Sequence, residues 1–150
     1  MKPINEISIA VCSDHAGYEL KQTVMKHLTD QGVIKLKDFG AYSSESSDYA
    51  DYAHPMASAV ESAEFEFGVS ICGSGNGISM TVNKHQGIRA ALCWNTEIAA
   101  LARQHNNANV LSLPARFVSE EEALKMVDLF FSTDFEGGRH KTRIDKIPFC

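Results

Sequence analysis

At 150 residues the chain is long enough for one domain with a substantial core. Its 44% hydrophobic and 22% charged content fits a soluble globular protein, and its net charge of −5 argues against general affinity for nucleic acid. No apolar run approaches a membrane span, and the N-terminus lacks the apolar segment of a signal peptide, so a cytoplasmic protein without membrane contact is expected.

In chain order, Ile7–Cys12 reads as a central strand, broken by Ser13-Asp14-His15-Ala16-Gly17. Leu20, Val24, Met25 and Leu28 have the spacing of an amphipathic helix over Tyr18–Asp30, stopped by Gly32. Val33–Phe39 alternates like a strand, and the serine-rich stretch from Gly40 to Tyr52 reads as a loop. Tyr52–Ala63 reads as a helix with Pro55 in its first turn. Phe67–Cys72 is a third strand and Ile78–Lys84 the start of a third helix. Ile88–Cys93 is a fourth strand, and Asn95 caps a helix running to about Gln104. Asn109–Leu113 is a fifth strand, and Ser119-Glu120-Glu121-Glu122 is a capping box before a helix to about Phe131.

Strands therefore alternate with helices, which predicts an α/β fold: a doubly wound, five-stranded parallel sheet, Rossmann-like, in one domain over residues 1–150. Residues 132–150, with Gly137-Gly138 and a basic segment, read as a C-terminal helical extension. In such sheets ligands bind beyond the carboxyl ends of the strands. Asp14 and His15 follow the first strand, Tyr49 lies in the loop after the second, and Cys72 to Gly77 follow the third, so all share one edge.

The stretch Cys72-Gly73-Ser74-Gly75-Asn76-Gly77 joins a strand to a helix. Its glycines let the backbone approach a ligand and turn N–H groups toward it, and the helix N-terminus favours negative charge there. A thiol in that field is favoured as its thiolate. One turn could then hold a proton-abstracting group and an oxyanion cradle, although a buried strand cysteine before an ordinary turn fits equally well. Ile78 stands where GxGxxG requires its last glycine, and no GK[ST] follows, so neither dinucleotide nor Walker signature is present. The four cysteines, Cys12, Cys72, Cys93 and Cys150, include no CxxC pair and do not read as a zinc site or disulfide framework. Cys12 and Cys93 read as buried; Cys150 carries no reading. Arg139 and Arg143, at i and i+4, could grip one phosphate if helical, or form a solvated face. His105 and Asn106 end a helix, where His105 is either a dipole-stabilised cap residue or an acid–base group.

With these residues in view, the chain resembles the ribose-5-phosphate isomerase B family, which includes galactose- and allose-6-phosphate isomerases. The resemblance rests on Ser13-Asp14-His15-Ala16-Gly17, Ser43-Ser44-Glu45 with Asp48-Tyr49, Ile71 to Ser79, Asn83-Lys84 with Gly87-Ile88-Arg89-Ala90, Arg103-Gln104-His105-Asn106, Asn109-Val110-Leu111 and Glu136-Gly137-Gly138-Arg139-His140. Ala50 follows Tyr49 where the family often has proline, and Pro114 precedes Ala115-Arg116 where it often has glycine.

The resemblance implies an intramolecular oxidoreductase: aldose–ketose isomerisation of ribose 5-phosphate and ribulose 5-phosphate through a cis-enediolate, without metal or cofactor. It implies Cys72 as the base, Ser74 and the amides of Gly73, Gly75 and Gly77 as enediolate stabilisers, and His105 for ring opening, aided by Asp14. Asn76, Asn106 and Tyr49 would contact the sugar; His15, Arg116, Arg139 and Arg143 would bind phosphate. A hexose-6-phosphate isomerase of the same fold is the near alternative, and a non-catalytic phosphosugar-binding domain the alternative of another class. Topology adds one expectation. Cys72 ends a strand, whereas His105 and Asn106 precede one, and a five-residue strand spans about 17 Å. A site using both therefore needs a second copy of the chain: a homodimer, or a dimer of such dimers, with shared active sites.

Overall fold

The computed structural model describes residues 1–149, and Cys150 lies outside them. After a short 3-10 turn at Ile4–Glu6, the chain runs β1 (Ser8–Ser13), α1 (Tyr18–Asp30), β2 (Lys35–Asp38), α2 (Tyr49–Glu61), β3 (Phe67–Cys72), α3 (Asn76–Val82), β4 (Ala90–Leu92), α4 (Thr96–Asn106), β5 (Val110–Pro114), α5 (Glu120–Ser132) and α6 (Arg139–Ile144). The five strands form one parallel sheet in the order β2-β1-β3-β5-β4. This is the doubly wound α/β architecture that the alternation of strands and helices predicts.

β1 and β5 are buried throughout and β3 nearly so, which explains their continuous apolar runs: helices cover both faces. On one face Ile9, Val11, Val69, Ile71, Leu111 and Leu113 meet α1, α4 and α5, with Phe130 and Phe131 fully or nearly enclosed. On the other, Ala10, Cys12, Cys72 and Val110 meet Ala53, Met56, Ala57 and Val60 of α2 and Ile78 and Val82 of α3. Each buried Val, Leu, Ile, Met or Phe side chain here contributes about 1.5–3 kcal/mol relative to leaving it exposed.

Several boundaries differ from the sequence reading. β2 and β4 are shorter than predicted, because they are the two edge strands and lack a second pairing partner. α2 starts at Tyr49 rather than Tyr52, after Asp48 in an extended conformation, so Tyr49 is a helical residue and Pro55 lies inside the helix. The helix continues through Pro55, which cannot donate one backbone hydrogen bond, with Ala53, Met56, Ala57 and Val60 buried along it. Asn76, not Ile78, begins α3. α4 runs two residues further than predicted. The Asn95 side chain caps its start by accepting from Ile98 N at 2.9 Å. Its end is a left-handed Asn107, with Ala108 N donating to Ala102 O at 3.0 Å. His105 and Asn106 thus occupy its last turn. Ser119 caps α5 as expected, accepting from Glu122 N at 3.1 Å. No helix among the described residues is long and apolar enough to cross a membrane.

Candidate active site

β1 and β3 are neighbours, yet the chain leaves them toward opposite sides of the sheet, so a crevice opens between their carboxyl ends. Asp14 and Cys72 stand at that point. Asp14 N donates to Ile71 O at 3.2 Å, which ties the loop after β1 to the residue before Cys72. The Asp14 carboxylate accepts from Gly17 N at 3.1 Å and is 6% exposed, so its position is fixed by the first turn leading into α1. His15 is half-buried, and its Nδ1 is paired with the Ser47 backbone at 3.2 Å while its amide donates to Ser47 Oγ at 3.2 Å. That leaves Nε2 as the nitrogen free for a ligand.

The turn after β3 is built for close approach. Gly75 has φ +75°, and a Cβ there would lie 2.3 Å from Leu92 Cδ1 and 3.2 Å from Pro114 N, so only glycine fits. Ser74 Oγ accepts from Asn76 N at 3.3 Å, and both side chains are exposed. The first-turn amides of α3 have no intrahelical acceptor and carry the positive end of the helix dipole. The Tyr49 ring lies against Gly77, where a Cβ would come within 2.5 Å of Cζ. β5 closes the other side: Ala115 N donates to Cys72 O at 2.9 Å and Arg116 N to Gly73 O at 3.0 Å. The Arg116 guanidinium therefore sits over Gly73, 3.2 Å from where a Cβ would be. Pro114, the departure noted in the sequence, pairs with Cys72 at the strand end without disturbing this arrangement. A cleft of about 270 Å³ continues from Ser74 and Asn76 past Leu92, Trp94, Pro114 and Phe117.

Cys72 is 4% exposed and ends β3 against this cradle. The other described cysteines are of a different kind. Cys12 and Cys93 are fully buried, as the sequence implied, and burial pushes both thiols up, that of Cys93 to about 12. Both are held as thiols within the core. The edge thus brings together Asp14, His15, Tyr49, Cys72, Gly73, Ser74, Gly75, Asn76, Gly77 and Arg116.

The remaining candidates lie at the opposite edge. His105 and Asn106 close α4, just before β5 enters the sheet from its amino end. α6 packs on α4, with Glu136 N donating to Gln104 O at 3.0 Å. The basic segment is helical, and Arg139 and Arg143 are both exposed. Within one chain, then, His15 and Arg116 are not joined by Arg139 and Arg143, and Cys72 is not joined by His105. Three contacts escaped the sequence reading: Ser47 on His15, Glu136 beside His105, and the His140 ring stacked on His105 at 4.2 Å. Each depends on how a loop or α6 docks, which local pattern does not encode.

Residues 9–147 match the model of the ribose/galactose isomerase family. The chain belongs to that family. It is an enzyme of the isomerase class, as that membership implies. Among family relatives, ribose-5-phosphate isomerase B of Escherichia coli is 44% identical over 139 residues, covering 93% of each chain. The crystal structure of a ribose 5-phosphate isomerase from Thermotoga maritima is 49% identical with a TM-score of 0.92, over 95% of this chain and 98% of that one. A family structure from Mycoplasma genitalium, solved with bound ribulose-5-phosphate, is 44% identical with a TM-score of 0.89, over 95% of this chain and 94% of that one.

Proposed function

We propose that this protein interconverts ribose 5-phosphate and ribulose 5-phosphate through a cis-enediolate, in the cytoplasm and without metal or cofactor. The observation that carries the reading is the position of Cys72. It ends β3 beside Asp14 and immediately before a backbone cradle that only glycine can form. The family relative that binds ribulose-5-phosphate supports the choice of a five-carbon sugar.

The thiolate of Cys72 takes the proton from C2 of the open-chain aldose and, after that proton exchanges with solvent, delivers one to C1, while the O2 hydroxyl proton passes to O1. Negative charge develops on the carbonyl oxygen as that proton leaves. Ser74 and the amides of Gly73, Gly75 and Gly77 are the preorganised donors for that charge. Asp14, Tyr49, Asn76 and Asn106 hold sugar hydroxyls. His15 and Arg116 contribute half of a phosphate grip, and Arg139 and Arg143 the other half. The phosphate supplies remote binding energy that fixes the reacting carbons. Pentose phosphates are mostly cyclic, so His105 opens the ring by moving a proton from the anomeric hydroxyl toward the ring oxygen, with Asp14 assisting.

Because the two halves of this machinery lie at opposite edges of one sheet, the working unit is a homodimer, or a dimer of such dimers. The carboxyl edge of one chain faces the α4–α6 edge of its partner, and a two-fold axis generates two equivalent sites. A panel of aldopentose and aldohexose phosphates, with the ketose product detected directly, tests the function. Turnover of ribose 5-phosphate well above any hexose 6-phosphate is expected. Preference for a hexose phosphate would move the protein to the galactose or allose side of its family, and binding without turnover would overturn the catalytic reading.

A further inference from the structure

His105 does not stand alone. The His140 ring lies parallel to it, with centroids 4.2 Å apart and planes 7° from parallel. Glu136 Oε2 lies 3.4 Å from His140 Nε2 and 3.9 Å from His105 Nε2, so one carboxylate oxygen is within ion-pair distance of both rings. The three residues differ in exposure. The His140 side chain is 7% exposed, while those of His105 and Glu136 are 40% and 52% exposed. His140 is therefore fixed by packing, and its neighbours are the ones free to meet a ligand. The backbone holds the group from two sides. Glu136 N is bonded to Gln104 O in the last turn of α4, and His140 N is bonded to Gly137 O at 3.0 Å.

Resting on the reading of His105 as the ring-opening group, we infer that His140, together with Glu136, is a positioning device that sets the orientation of the His105 imidazole. Ring opening needs one nitrogen aimed at the sugar oxygens within a few tenths of an ångström. A histidine in the last turn of a helix, 40% exposed, has no such constraint from its own backbone. The buried ring beneath it restricts rotation about its side-chain torsions, and Glu136 marks the direction in which Nε2 points.

His140 suits the task because it stays uncharged. Burial pushes its pKa below the ordinary imidazole value, and the stacked His105, Arg139 and Arg143 act in the same direction, with Glu136 alone opposing. A neutral platform lets His105 gain and lose its proton without a second charge against its face. The same three groups lie close enough together to suggest a metal site, with ligand atoms within 4.8 Å of one another. The stack argues otherwise. Near-parallel rings send their in-plane lone pairs out in separate planes, and one ion cannot lie in both.

The test separates ring opening from proton transfer. Exchange of the C1 hydrogen of ribulose 5-phosphate with heavy water needs the enediolate step and no ring chemistry, since this ketose is open-chain. Net conversion of ribose 5-phosphate needs both. His140→Ala should lower kcat for net conversion by about tenfold or more with KM little changed, because orientation rather than binding is lost. C1 exchange should persist at the wild-type rate. His140→Phe, which keeps a flat ring in the same space, should recover most of kcat, and Glu136→Gln should fall between the two. His105→Ala is the control for the underlying reading: it too should lose conversion and keep exchange. If His105→Ala converts normally, the role of His105 fails. If His105→Ala loses conversion while His140→Ala does not, the positioning role fails. Parallel loss of conversion and exchange in His140→Ala, or no recovery in His140→Phe, would make His140 a merely structural residue and overturn the inference.

Discussion

Mixing two dead variants should restore activity if the site is shared between chains. In the sheet register Gly68 pairs with Val110 and Cys72 with Pro114. The four residue steps between these pairs span about 13 Å along the strands. Cys72 stands at the far end of that span, and His105 lies before its near end, beyond the start of β5. The gap exceeds what a cysteine and a histidine side chain can close. Cys72→Ala and His105→Ala homodimers should each be inactive in net conversion. After subunit exchange, random pairing makes half of the dimers mixed. In each mixed dimer one site carries both lesions and the other carries neither, so the mixture should reach about a quarter of wild-type activity. The assay is ribulose 5-phosphate formation before and after exchange, with mixed dimers verified by native mass spectrometry. If mixed dimers form and the mixture stays inactive, Cys72 and His105 serve the same chain's site and the opposite-edge argument is wrong.

Arg139→Ala and Arg143→Ala should each weaken phosphate binding by about 1.5–3 kcal/mol, roughly ten- to a hundredfold in KM. Inorganic phosphate inhibiting wild type and both variants equally would mean that α6 presents only a solvated face. Gly77→Ala should raise KM with little change in thermal midpoint, because the new Cβ displaces the Tyr49 ring, which is 40% exposed and free to move outward. An unchanged KM would remove Tyr49 from the sugar contacts. Folding lowers the pKa of His140, so the unfolded chain binds the extra proton first. The stability this group contributes is complete above the unfolded value of about 6.5 and is lost as pH falls below it. Denaturant midpoints should drop between pH 7.5 and 5, and more steeply in wild type than in His140→Phe; equal slopes would contradict the assignment.

The outline of the fold was legible because its signals are local. Asn95 and Ser119 announce helix starts through their own side chains, and both make the expected capping bonds. The continuous apolar runs of β1, β3 and β5 follow from burial on both faces. The errors fall where tertiary context decides. β2 and β4 are short because they are edges, which no single strand reveals about itself. α2 starts early because burial of Ala53 and Met56 outweighs the polar look of Tyr49 to Tyr52 and the cost of Pro55. For the site, the residues of one edge could be gathered from strand order alone, since Asp14 and Tyr49 follow strands and Cys72 ends one. Arg116 could not be tied to Gly73 in that way; the hydrogen bonds between the ends of β3 and β5 put it there. The stack of His140 on His105 was least accessible, because it requires α6 to fold back onto α4, and nothing in the basic run Arg139 to Arg143 states which of its residues is buried.

The central claim is that Cys72 moves a carbon-bound proton between C1 and C2 of a pentose phosphate. Following ribose 5-phosphate in heavy water by NMR, with wild type and with Cys72→Ala, tests it most directly. Wild type should produce ribulose 5-phosphate carrying solvent deuterium at C1, and Cys72→Ala should neither convert the sugar nor exchange its C2 proton, while still binding it. Exchange at a near wild-type rate in Cys72→Ala would assign the base to another residue.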